Sequence, residues 1–381
     1  MACPSRNDKG DPTRSTSTDV MNFTDRAFKT TEITFESDDG TMLFGKLTTP
    51  VHDGSYPVVV WVQTAEAQTV DIRVQLSDGS VIEYLDLYRE CLAEMNMAFF
   101  SYEGRGVRSG SEPPRYTDID RPLYNTSTLA NKVLDAVAAV RAVREQPSVD
   151  VEQVFLIGAS EGTLLAAEAA TRLRGQVKGI ILCSVVSELR DALEWMFTDG
   201  LFMQHCLCWD LNGDGVITRE EFEADPKGIR RLMPGIGFEV FDPDGDGAYT
   251  IHDRRQLSKP VIDALKASDT ETVNAWLKPI AAVELPDGWV DDHFNHPHIW
   301  TFLSQLDIPV GIFHGELDHA APVGCVRALE QQAQKDGKTN IEFHYYPGVG
   351  HGLGDTDYFS RGVLSEPYRD MFEYLLRQTC S

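Results

Sequence analysis

The 381-residue sequence predicts a mixed α/β molecule: a mostly parallel central sheet flanked by helices and interrupted by a mainly helical insertion. Three observations predict it. Continuous apolar runs recur at 57–62, 154–157 and 177–186, as strands buried on both faces require. Segments with apolar residues at helical spacing lie between them, and that alternation is the signature of a parallel sheet. The rhythm then stops at about residue 189 and resumes at 308, which marks an insertion of about a hundred residues.

The elements follow in order. Residues 31–36 and 41–47 alternate around Ser37-Asp38-Asp39-Gly40, which is turn chemistry, so the chain opens with an antiparallel pair. A buried strand at 57–62 is followed by a helix at 84–95 and a short strand at 97–102. The Ala/Val/Leu-rich stretch 129–144 reads as a long amphipathic helix. A strand at 154–157, a helix at 163–173 and a strand at 177–186 come next. Beyond the insertion, strands are expected at 308–313 and 341–345 and a closing helix at 367–377. The expected organisation is therefore a polar tether over 1–28, a core over 29–188 and 297–381, and a cap insertion over 189–296.

Charge narrows the partners. The formal net charge of −25 argues against nucleic acid or an anionic membrane, since both need a basic face. No apolar run is long enough for a membrane span. The seven cysteines match neither a zinc spacing nor a disulfide scaffold. At the start, a small residue, Cys3 and a polar tether resemble a mature bacterial lipoprotein, which would anchor the chain by lipid outside the cytoplasm. A cytoplasmic start with a loose tail is the other reading.

The motif with the clearest chemistry is Gly158-Ala159-Ser160-Glu161-Gly162, between a buried strand and an Ala-rich helix. A strand-to-helix turn this tight lifts the Ser160 hydroxyl above the sheet and aims the Glu161 amide at the site of a developing oxyanion. A glycine-flanked turn without chemistry is the plain alternative. The general acid and base of such a nucleophile follow late strands in chain order. Asp318 stands just past one strand end and His351 lies in a glycine-rich loop after the next. His351 would take the Ser160 proton, and Asp318 would fix the imidazole tautomer. Glu316 is the alternative acid, and His314, His319 and His344 read as structural or rim residues.

With Tyr84-Leu-Asp-Leu-Tyr-Arg and Phe99-Phe-Ser-Tyr-Glu-Gly-Arg-Gly-Val-Arg-Ser-Gly, these segments resemble the α/β-hydrolase superfamily, and within it bacterial esterases and S33-type serine hydrolases. The resemblance implies an α/β-hydrolase fold, a cap after the sixth strand, and a second oxyanion amide in the loop after the third strand. There it departs from the pattern: Gln63-Thr64-Ala65-Glu66-Ala67-Gln68 stands where His-Gly is usual. By position Ala65 gives the amide, but without glycine the backbone is less free.

The insertion carries two loops of EF-hand type. In 210–221, Asp210, Asn212 and Asp214 occupy ligand positions, Gly215 makes the turn, Val216 offers a carbonyl and Glu221 closes the loop. In 242–253 the same places hold Asp242, Asp244, Asp246, Gly247, Ala248 and Asp253, the last resembling a dockerin-type ending. Apolar Ile217 and Tyr249 sit where paired loops touch. Two structural Ca²⁺ sites are expected, with a calcium-sensing cap as the alternative.

These features together point to a small-molecule ester as substrate, cleaved through an acyl-enzyme. A peptidase or amidase could use the same triad, and a calcium-binding interaction module on a degenerate scaffold is the rival from another class. Trp195, Phe197, Phe202, Trp289 and Trp300 are candidate walls of an apolar pocket, and 291–298 reads as pocket wall or surface rather than a zinc site.

Overall fold

The computed structural model describes residues 28–65, 67–75, 79–113, 116–233, 235–277 and 285–380. Cys3 and the tether up to residue 27 lie outside the described residues.

Apolar runs build an eight-stranded sheet from β1 (Phe28–Glu36), β2 (Met42–Pro50), β3 (Tyr56–Val62), β4 (Ala98–Tyr102), β5 (Val149–Ala159), β6 (Gly179–Cys183), β7 (Val310–Gly315) and β8 (Ile341–Tyr346). Their spatial order is β1-β2-β4-β3-β5-β6-β7-β8. Strand β2 runs antiparallel to β1 and β4, and every other pairing is parallel. The run in β3 is continuous because both faces are covered. Val58, Val60 and Val62 enter one core with helices α2 (Leu129–Arg144), α3 (Gly162–Arg172) and α10 (Val323–Lys335). Val59 and Trp61 enter the other, with α1 (Asp86–Glu94) and α11 (Glu366–Thr379).

This topology decides where a site can form. Chain order reverses at β3, which has β4 on one side and β5 on the other. The crevice at the carboxyl ends of strands flanking such a reversal is where open α/β sheets bind ligands. The loop after β3 and the turn after β5 both open into it.

Between β6 and β7 the chain makes α4 (Leu189–Phe197), α5 (Asp199–Trp209), α6 (Arg219–Ala224), α7 (Ile251–Lys266), α8 (Thr270–Leu277) and α9 (Trp289–Phe294). Two small cores hold these helices. One includes Leu193, Phe197, Val261 and Trp289; the other is almost wholly aromatic, with Phe202, Trp209, Phe222, Phe238, Phe241 and Tyr249 around Ile217. Among the described residues, no helix is long and apolar enough to cross a membrane.

Some expected boundaries move. The strand expected over 177–186 is confined to Gly179–Cys183, because Ser184 turns to a φ of 52° and ends the ladder. Helix α10, a short helix at Asp355–Arg361, and the small hairpins Arg73–Gln75/Val81–Glu83 and Val107–Ser109/Thr117–Ile119 have no counterpart among the expected elements.

Candidate active site

Strand β5 ends at Ala159, and the next residue, Ser160, adopts φ 53°. A left-handed backbone at a non-glycine residue costs about 1–3 kcal/mol and persists only where surroundings enforce it. They do so here. The Ser160 amide donates to the Cys183 carbonyl at 3.0 Å, Gly158 is sterically required and Gly162 is tightly packed. A Cβ on Gly158 would meet the Gly162 oxygen at 2.2 Å, and one on Gly162 would meet the Gln63 oxygen at 3.0 Å. The second contact seats the start of α3 directly on the loop after β3.

That loop carries Ala65. Among the described residues, the N–H groups of Ala65 and Glu161 have no acceptor, and both residues line the same cavity as Ser160. Two amides without an acceptor, in residues that line one cavity with a strained serine, are the donors that an oxyanion hole would require.

The other predicted partners meet each other. His351 Nδ1 lies 2.9 Å from both oxygens of Asp318, which is buried in the loop after β7. Asp318 Oδ1 also accepts from the amides of Ala320 and Ala321, each at 2.8 Å. Burial alone would raise the Asp318 pKa, but the His351 hydrogen bond and the nearby imidazoles outweigh it and hold the carboxyl low. Glu316, the alternative acid, faces outward and pairs with Arg327 at 2.5 Å.

The loop that carries His351 is fastened to the turn at Ser160 through Ser184, whose hydroxyl donates to the His351 carbonyl at 2.5 Å beside the Cys183 carbonyl that receives Ser160. Among the described residues, neither the Ser160 hydroxyl nor His351 Nε2 makes a hydrogen bond, to each other or elsewhere. Such contacts commonly tighten only once substrate is bound.

The other histidines separate by surroundings. His314 is fully buried; it accepts from the Val185 amide at Nδ1 and faces the Ala321 carbonyl at Nε2, and burial lowers its pKa. This fixes a neutral tautomer with a structural duty. His344 stacks on Phe313. His319 lines the cavity with its ring 5.8 Å from His351, and burial lowers its pKa as well.

One cluster was missed by sequence reading. The Glu161 side chain, one residue past Ser160, is buried between Lys132 and His293. Its Oε1 accepts from Lys132 Nζ at 2.7 Å, and its Oε2 lies 2.6 Å from His293 Nε2. Burial opposes ionisation of Glu161, but Lys132 and His293 override it and push the pKa well down. His293 thus belongs to the cavity wall, and no described residue joins it in a metal-binding group.

The cavity has a volume of about 370 Å³. Helices α4, α8 and α9 supply Leu193, Met196, Phe197, Trp276 and Trp289 to its walls. Of the five aromatic candidates, Phe197 and Trp289 are there. Trp195 instead donates to the Asp318 carbonyl at 3.1 Å, Phe202 sits in the aromatic core of the insertion, and Trp300 packs on the main core.

The acidic loops of the insertion share one bonding scheme. Asp210 accepts from the amides of Gly213 and Gly215, and Asp242 from those of Gly245 and Gly247. Asp214 accepts from Val216 N, and Asp246 from Ala248 N. Glu221 and Asp253 each form a capping box with the threonine three residues earlier. The loops join as a two-stranded ribbon, pairing Ile217 with Tyr249. One oxygen from each of Asp242, Asp244 and Asp246 lies within 4.8 Å of the others. Oxygens sharing one Ca²⁺ at about 2.4 Å are at most about 5 Å apart, so this all-oxygen donor set fits that ion.

The sequence matches no protein-family model and no curated protein. Solved structures, by contrast, superpose along almost its whole length. An esterase of Pyrococcus furiosus is 11% identical with a TM-score of 0.52, covering 92% of this chain and 91% of its own. The α/β hydrolase GrgF of Penicillium sp. sh18 is 15% identical with a TM-score of 0.51, covering 93% and 100%. Identities this low speak for architecture alone, and together with the strand order they establish that the chain has the α/β-hydrolase fold.

Proposed function

We propose that this protein is a serine hydrolase that cleaves carboxylic esters of uncharged, apolar acyl or aryl groups through an acyl-enzyme, with calcium stapling its cap. The observation that carries the reading is the placement of Ser160. It is a strained serine on a cavity with apolar walls, in the company of two unpaired backbone N–H groups.

The chemistry follows from the positions. The Ser160 Oγ attacks the acyl carbon while His351 Nε2 takes its proton, and Asp318 stabilises the imidazolium at Nδ1. The carbonyl oxygen becomes an oxyanion received by the N–H groups of Ala65 and Glu161. Collapse expels the alkoxide, which leaves as the alcohol with the proton from His351. Water then attacks the acyl-enzyme with His351 as base again, releasing the acid and restoring Ser160. The apolar walls favour a hydrocarbon chain over the repeated polar contacts that a peptide backbone needs.

Asp210, Asn212, Asp214, the Val216 carbonyl and Glu221 would hold one Ca²⁺. Asp242, Asp244, Asp246, the Ala248 carbonyl and Asp253 would hold another. Bound there, the ions supply charge neutralisation and rigidity to the insertion, and no step of the reaction passes through them.

Hydrolysis of a p-nitrophenyl ester series by wild type and Ser160→Ala tests the reading. Activity should vanish in the variant, as should labelling by a fluorophosphonate. From acetate to hexanoate, kcat/KM should rise by up to about 4-fold per methylene, the equivalent of about 0.8 kcal/mol of burial. Equal inertness of both proteins, with no label on Ser160, would exclude the hydrolase. Faster cleavage of p-nitroanilides than of esters would instead identify an amidase.

A further inference from the structure

We propose that Lys132 is a positioning residue of the oxyanion hole, set in place by Glu161 and, through Glu161, by His293 of the cap. The inference rests on the serine-hydrolase reading and extends it to residues that touch no substrate.

The starting point is a defect. The loop after β3 has Thr64-Ala65 in place of a glycine, and nothing in the local sequence explains what would hold the Ala65 N–H toward the cavity. Lys132, on the first turn of α2, donates to the Thr64 carbonyl at 3.2 Å. That carbonyl and the Ala65 N–H belong to one planar peptide unit, in which the trans arrangement points C=O and N–H in opposite directions. A cation holding the oxygen on one side therefore fixes the N–H on the other. The same ammonium lies 2.7 Å from Glu161 Oε1, and Glu161 supplies the second oxyanion amide. One side chain thus ties together both donors.

Lys132 is itself held. Its side chain is 11% exposed and that of Glu161 3%, so the pair is shielded from solvent competition. The remaining Glu161 oxygen meets His293 Nε2 at 2.6 Å, and His293 Nδ1 lies 2.8 Å from the Trp289 carbonyl one turn back in α9. Both ring nitrogens face acceptors, so the imidazole is locked in orientation. The chain of contacts runs from cap helix to nucleophile elbow to oxyanion loop, and the oxyanion hole is complete when the cap is seated.

The test compares wild type with Lys132→Met on a p-nitrophenyl ester, reading kcat and KM separately. It also reads the inhibition constant of a trifluoromethyl ketone, which forms a hemiketal oxyanion on Ser160. Losing an oxyanion donor outright costs roughly 100–1000-fold, and losing its support should cost less, about 10–100-fold in kcat. KM should stay within about threefold, and ketone affinity should fall in parallel with kcat.

Lys132→Met leaves a buried carboxylate short of a partner. The double variant Lys132→Met with Glu161→Gln removes both charges and serves if the single one fails to fold. It should show the same loss in kcat and ketone affinity. A folded variant with kcat within twofold of wild type, or a loss confined to KM with ketone affinity unchanged, overturns the proposal. Wild type that neither turns over ester nor accepts a fluorophosphonate overturns the serine-hydrolase reading itself. An active wild type beside an equally active variant overturns only the role of Lys132.

Discussion

Asp318 makes more contacts than its exchange with His351 needs. Both oxygens face His351 Nδ1, while Oδ1 also accepts from Ala320 and Ala321, so the carboxylate is fixed before the imidazole arrives. Asp318→Asn would keep the shape but put an amide donor against Nδ1, favouring the wrong tautomer. Turnover of an activated ester should fall by roughly 10³–10⁴-fold with the fold intact, as judged by circular dichroism. The same carboxyl gives a pH prediction. Despite burial, the His351 bond holds its folded pKa below the ordinary 3.8. It therefore adds stability above that value, which is lost as pH falls through the folded pKa. Between about pH 5 and about pH 3, wild type should lose more urea stability than Asp318→Asn. Equal slopes would count against the ion pair. At this scale the sequence exposed Ser160, Asp318 and His351 because each sits beside a recognisable strand end or glycine turn. Ser184 and Lys132 carry no such mark: they act through backbone carbonyls, and any residue supplies a carbonyl. The Glu161 cluster was hidden for another reason, since its members are 29 and 132 positions apart.

Helix α9 shows how an insertion is attached to its core. Asp292 Oδ2 accepts from the Leu129 amide at 2.7 Å, at the first residue of α2. An amide there has no partner within its own helix, and a carboxylate beside it also meets the positive end of the helix dipole. One element thus caps another across the cap–core boundary. Asp292→Ala should lower stability by about 1 kcal/mol in urea titration. Limited proteolysis should then cut first within 189–296, and an unchanged cleavage pattern would argue against this attachment. Elements were legible in proportion to how strongly burial dictates their residues. The expected span of α2, 129–144, matches Leu129–Arg144, because Thr128 caps it and its apolar stripe is long. Strand β3 and the apolar second half of β5 declared themselves by lacking polar alternation, whereas Val149–Gln153, which carries Asp150 and Glu152, lies outside the strand expected at 154–157. Helix α10 does set Val326, Leu329 and Ala333 at helical spacing, but they are few amid glutamines and charges, and its second residue is Gly324, so apolar content does not single it out. The short hairpins have three-residue strands, too brief for any period to show.

Across the whole molecule, the charge of −25 and the acidic loops are linked. Asp210, Asp214, Glu221, Asp242, Asp244, Asp246 and Asp253 crowd two short loops joined through Ile217 and Tyr249. Both residues are fully buried in the aromatic core of the insertion, so repulsion among the loops acts directly on that core. Two bound Ca²⁺ ions would bring the net charge to −21 and offset the repulsion where it is densest. A single ion at a hundred times its dissociation constant stabilises by about 2.7 kcal/mol. For a chain of this size that is about 3 °C per ion, so stripping both with EGTA should lower Tm by about 7 °C, and added CaCl₂ should restore it. MgCl₂ should restore little, because Mg²⁺ demands tighter octahedral geometry and keeps its water. Asp246→Asn should reproduce part of the EGTA effect without any chelator. Esterase activity should decline along with Tm, since Leu193, Trp276 and Trp289 of the cavity wall come from the insertion. A Tm that ignores both EGTA and Ca²⁺ would remove the staple yet leave the hydrolase standing, because Ser160, Asp318 and His351 all lie outside the insertion.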